Sequence, residues 1–188
     1  MKRQVWKAVS AALIAGIATS SALAESKLVT GAATTTGAAA KLRLTVVVPE
    51  FIALKVGTGD IYTNSTTVDE VTFNVPEANV TSNTTIASAP VAVQLVSNVG
   101  TVSFGSSGSA LTNGTESIAL NQISVTSSNT ALPHPSFGAA ATPLTPSAGT
   151  KVINASTNST FNYNHQGNTT PLGAGTFTTQ ITYTAAKL

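Results

Sequence analysis

The chain contains no cysteine. No disulfide can staple it, and no thiolate is available as a nucleophile or metal ligand. Its single Met and single Trp are Met1 and Trp6. Aromatic residues make up 5% of the chain and charged residues 9%. So few rings speak against an outer-membrane barrel, which carries aromatic girdles at both interfaces. So little charge leaves no nucleic-acid footprint. Lys27, Lys41, Arg43, Lys55, Lys151 and Lys187 are scattered, apart from the Lys41/Arg43 pair, whereas neutralising phosphates takes a basic patch. Stability must come from packing and backbone pairing.

What is present begins with an address. Lys2, Arg3 and Lys7 precede the apolar, small-residue run AVSAALIAGIATSSALA, and Ala22-Leu23-Ala24 has the A-x-A form of a signal-peptidase site. The run is too short and too rich in Ser, Thr and Gly for a comfortable membrane span. Residues 1–24 therefore read as a signal peptide, and the mature protein as exported through the periplasm to the cell surface or medium, spanning no membrane. Removing the three basic residues of the leader leaves six Lys+Arg against seven Asp+Glu, a formal charge of −1 in place of +2. The remaining 164 residues suit one domain that buries roughly two thirds of its unfolded surface.

Residues 25–40, ESKLVTGAATTTGAAA, mix helix-favouring Ala with strand-favouring Thr and read as a flexible arm. From Lys41 the pattern is β. KLRLTVVV sets Leu42, Leu44, Val46 and Val48 on one face, and Pro49 ends the ladder. FIALKV, VDEVTFNV and PVAVQLVS continue the period of two, and Asn98-Val99-Gly100 turns into TVSFG as a hairpin. In SIALNQISV the apolar phase slips at Asn121-Gln122, which a β-bulge explains. Residues 127–149 read as loop, and strands are expected at 150–153, 160–164 and 175–185. Short strands, frequent turn residues and no amphipathic helix predict an all-β antiparallel sandwich over 41–188.

Catalytic constellations are missing. His134 and His165 are the only histidines, and they lie in different segments. No Ser sits in a Gly-x-Ser-x-Gly elbow. Asp69-Glu70 are the only adjacent acids, and on a strand they point to opposite faces. No catalytic, cofactor-binding or metal site is expected, and the chain reads as no enzyme. Seven Asn-x-Ser/Thr triplets are what a chain so rich in Asn, Ser and Thr yields by chance.

The end of the chain is regular. In GTFTTQITYTAAKL, Phe177, Thr179, Ile181, Tyr183 and Ala185 share one face. A strand from Gly175 to Ala185 would span about 36 Å, twice a common strand. Here, with Gly175 fourteenth from the end and a loose arm before the first strand, the chain resembles pilin and spore-coat-U-like subunits of bacterial surface fibres. Their signature Tyr is usually next to last and many carry a disulfide. Tyr183 lies five residues from Leu188, and the chain has no Cys, so the nearer likeness is to Cys-free fimbria-like proteins. The resemblance implies an immunoglobulin-like fold and a structural subunit of a filament, fimbria or coat. Its partners would be copies of itself, with an assembly chaperone in transit, and assembly would proceed by β-strand addition, the 25–40 arm of one copy filling an edge groove of the next. Leu28, Ala32 and Ala38 in the arm, and Gly175, Phe177, Ile181 and Tyr183 in the last strand, are the polymerisation residues this implies. Uncharged Thr-rich faces fit close packing of many copies. The alternative is a monomeric adhesin or carbohydrate-binding module using loop 127–149, Tyr163 and His165.

Overall fold

The computed structural model describes residues 25–31, 37–165 and 172–188. The proposed leader, Ala32 and the 166–171 segment lie outside the described residues. The chain divides into two units, Met1–Val48 and Pro49–Leu188.

The described part of the first unit contains no β-strand. That includes residues 41–48, where the sequence pattern predicts one. Leu42, Leu44, Val46, Val47 and Val48 are between 71% and 86% exposed. A period of two specifies which side chains share a face; it does not supply a backbone to pair with.

The second unit holds ten strands among the described residues: β1 Ile52–Val56, β2 Thr85–Ala87, β3 Val91–Ser97, β4 Val102–Ser107, β5 Leu111–Thr112, β6 Ser117–Ile118, β7 Ile123–Ser127, β8 Thr142–Leu144, β9 Ile153–Asn164 and β10 Thr182–Lys187. Eight of them form two antiparallel sheets that pack in a sandwich-like arrangement and do not close into a barrel. In the first sheet, β9 is central. Ser159 pairs with Val91 of β3 on one side and with Ser127 of β7 on the other. β3 in turn pairs with β1, and β2 extends the β3 side of β9. The second sheet runs β10-β4-β8, and β5 and β6 make a separate short ladder.

Several local expectations are replaced. The two strands expected at 150–153 and 160–164 are the single 12-residue β9, at ~3.3 Å per residue about 40 Å long. Asn98–Gly100 does not close a hairpin. Gly100, at φ 86°, helps carry the chain out of β3 in one sheet into β4 in the other. The phase slip at Asn121-Gln122 is a 3₁₀ turn over Leu120–Gln122, after which β7 joins the first sheet. The one-residue offset appears elsewhere: Ala87 opposes Asn162 but Val91 opposes Ser159. Around Pro90, Ser88 bridges that break. Its N–H donates to the Phe161 carbonyl at 2.8 Å, and its Oγ accepts from the Phe161 N–H at 3.1 Å. The expected strand in 68–75 is absent. Val71, Phe73 and Val75 still alternate as partly buried residues, and the Phe73 ring lies 5.8 Å from Tyr163.

Between the sheets, Val93 and Leu95 of β3 and Ile153 of β9 meet Val102 and Phe104 of β4 and Leu144 of β8. Leu132, fully buried, comes from the β7–β8 connection. Toward one side the core is thinner. Ile52, Leu54 and Val56 of β1 and Tyr183 and Ala185 of β10 pack against it but are only partly buried.

Candidate functional site

The last segment is built as its alternation implies. Phe177, Thr179, Ile181, Tyr183 and Ala185 are partly buried, and the residues between them are exposed. Its backbone pairing is shorter than 175–185. Thr178 bridges Thr112, and only Thr182–Lys187 form a continuous ladder, against Val102–Ser107. Ile181 sits over Gly108, where an added Cβ would collide with its Cδ1. Gly175 is exposed beside Asn113. In the arm, Leu28 is 89% exposed and Ala38 is exposed.

Among the described residues the strands paired on one side only include β7 and β8 as well as β1 and β10. β1 pairs only with β3, and β10 only with β4, among the described residues. Each therefore presents unpaired backbone N–H and C=O groups on its outer side. Their inward side chains are the partly buried Ile52, Leu54, Val56, Tyr183 and Ala185. β1 and β10 lie near each other, and each pairing runs one bond past its ladder: the Phe51 carbonyl accepts from the Asn98 N–H at 3.3 Å, and the Thr101 carbonyl accepts from the Leu188 N–H at 3.2 Å. Lys187 Nζ, 2.7 Å from Glu50 Oε1, pairs the two strand ends on the surface. Leu54 and Tyr183 thus belong to strands that flank one open side of the sandwich. The sequence pattern marks the inward residues of each strand but does not tell that either edge lacks a neighbour.

The two histidines lie in separate settings. His134 Nε2 is 2.7 Å from the Tyr183 hydroxyl. Its ring stands edge-on to Phe137, Phe161 and Tyr183, with centroids 5.1–5.4 Å away. Burial among these rings pulls its pKa down to about 4, partly offset by a hydrogen bond to the Pro135 backbone. Burial likewise pushes the Tyr183 hydroxyl above the ordinary tyrosine range. His165 bonds the Val80 carbonyl through Nε2 at 3.0 Å and the Tyr163 hydroxyl through Nδ1 at 3.2 Å.

No group of three His, Cys, Asp or Glu side chains converges to hold a metal among the described residues. Asp69, one of the two adjacent acids, accepts from the Thr58 N–H and, at 3.0 Å, from the Thr58 hydroxyl. It fastens the 57–76 loop back on itself. A sugar platform at Tyr163 is not available, because that ring is 4% exposed and packed on Phe73.

No family model, curated protein or solved structure matches the chain.

Proposed function

We propose that the chain is a non-enzymatic structural subunit of an extracellular filament, fimbria or surface coat, and that copies join by β-strand addition. The observation that carries this reading is the exposure of Leu42, Leu44, Val46, Val47 and Val48, each at least 71% open to water. Fully burying one such side chain is worth about 1.5–3 kcal/mol. A row of them at strand spacing, left uncovered, is an adhesive surface. The matching need is the open side flanked by β1 and β10, where partly buried aliphatic and aromatic side chains and unpaired backbone meet the solvent.

Residues 41–48 of one copy are the donor in this reading. Their Leu42, Leu44, Val46 and Val48 face covers Ile52, Leu54, Tyr183 and Ala185 of the next copy, while Lys41 and Arg43 stay in water. Backbone hydrogen bonds along the free edge supply register and much of the affinity. The 25–40 arm leads into this row and offers only Leu28 and Val29 as large aliphatics beside its alanines. The low charge of the chain, with 9% Asp, Glu, Lys and Arg, lets copies lie close without repulsion. An immunoglobulin-like, pilin-like sandwich completed by a neighbour is the architecture this implies, reached by export behind residues 1–24.

Three forms of the protein test it, beginning at residue 25, 41 or 49. The expected result on unboiled SDS gels is a ladder for the first two and a single monomer band for the third. A ladder from the form beginning at residue 49 would remove the N-terminal donor altogether. A ladder from the first form alone would move the donor into 25–40.

A further inference from the structure

We propose that His134 is an acid-operated latch on the last strand: when neutral it ties the β7–β8 connection to β10, and when protonated it lets go. The inference stands on the fold alone and does not need the assembly reading.

The latch is defined by its partners. The His134 N–H of the backbone donates to Ser127 Oγ at 2.9 Å, fixing the residue at the end of β7. The Pro135 carbonyl accepts from Ser106 Oγ at 3.3 Å, fixing the next residue to β4. The ring then bridges outward to β10. Nε2 lies 2.7 Å from the Tyr183 hydroxyl. The proposed latch assigns the proton to Nδ1, so that Nε2 accepts from the tyrosine O–H. Tyr183 is the inward residue at the start of β10, stacked 6.3 Å from Phe104.

Protonation breaks this arrangement at a stated atom. A proton on Nε2 turns it from acceptor to donor, so the Tyr183 hydroxyl must accept and can no longer donate to the ring. The imidazolium also finds no counter-charge. β4, β7 and β8 contain no acid or base, and neither does the 128–141 connection apart from His134. β9 contributes only Tyr163. On β10 the other titratable group is Lys187, already paired with Glu50. A charge desolvated without a partner is costly. His134 is itself only partly buried, so the ring can swing to water and take the connection with it.

The sign is fixed by the two protonation constants. His134 binds its proton less readily in the latched state, at about 4 against the ordinary 6.5. The latch is therefore fully closed above about pH 6.5, and its contribution disappears as pH falls toward 4. Across that window each pH unit favours the open form by up to about tenfold. Where β10 also walls the seat of an incoming strand, which rests on the assembly reading, acid would loosen the assembly too.

Amide hydrogen exchange over Thr182–Lys187, corrected for the intrinsic pH dependence of exchange, tests the latch in the full chain. The expected result is a drop in protection of at least tenfold between pH 7 and pH 4.5, absent in His134→Gln, whose amide can still accept from Tyr183. An equal drop in both proteins, or none in either, overturns the proposal. Should His134→Gln fail to fold, the wild-type imidazole is followed by NMR. A midpoint well below 6 that coincides with loss of β10 protection supports the latch. A midpoint near 6.5 with β10 protection unmoved overturns it.

Discussion

Replacing Leu44 and Val46 together by Asp is expected to abolish assembly while leaving the unfolding midpoint of the monomer where it was. Both side chains are more than four-fifths exposed in the isolated chain, and substitutions at such positions usually change stability by under about 0.5 kcal/mol. In the assembled state they would lie against Leu54, Tyr183 and Ala185, where an aspartate must either be desolvated or keep the strand from seating. Each such burial costs several kcal/mol without a partner, so the association constant should fall by at least about 100-fold. Sedimentation of the variant against wild type, beside urea unfolding of each, separates the two effects. Assembly that survives the double substitution would mean that the aliphatic row is not the joining surface. A lowered midpoint with no loss of assembly would mean that the row packs on its own molecule.

The second large effect is in the core. Phe104→Ala should cost about 3–5 kcal/mol, much of the total stability of an ordinary domain. Phe104 is 1% exposed and among the largest fully buried side chains. It lies on β4, pairs in register with Ala185 of β10, and stacks on Tyr183. Truncation therefore opens a cavity and removes the ring that backs the last strand. Replacing Phe177, which is only partly buried, should cost distinctly less. Urea unfolding of both variants checks the order. A loss below 1 kcal/mol for Phe104→Ala would show that the core collapses around the gap or lies elsewhere.

Much of the β-character was legible, because side-chain period is a local property. Val93 and Leu95, Val102 and Phe104, and the 177-to-185 row face inward as their alternation implies. What was not legible is who pairs with whom. Residues 41–48 and 68–75 carry strand patterns as clear as β3, yet neither has a ladder among the described residues. β8 contains Pro143, a residue that argues against a central strand, and it survives because it lies on an edge. At Asn121-Gln122 the same phase slip fits a bulge or a change of sheet, and only the position of β9 decides. The contact of His134 with Tyr183 spans 49 residues, and no spacing rule in the sequence points to it. The open edges are the extreme case, since an unpaired strand and a paired one have the same alternation.

The most direct measurement of strand addition uses the absence of cysteine, which makes any introduced pair unambiguous. Copies carrying Leu44→Cys or Val46→Cys are mixed with copies carrying Ala185→Cys and oxidised gently. Adjacent inward positions on neighbouring strands lie about 4.5–5.5 Å apart, within disulfide reach. The account predicts that one of the two mixtures gives a covalent dimer of unlike copies, and that a form of the Ala185→Cys chain mixed with copies beginning at residue 49 gives none. Filaments that form without either cross-link would contradict the seat beside β10, and a protein that stays monomeric throughout would contradict strand addition itself.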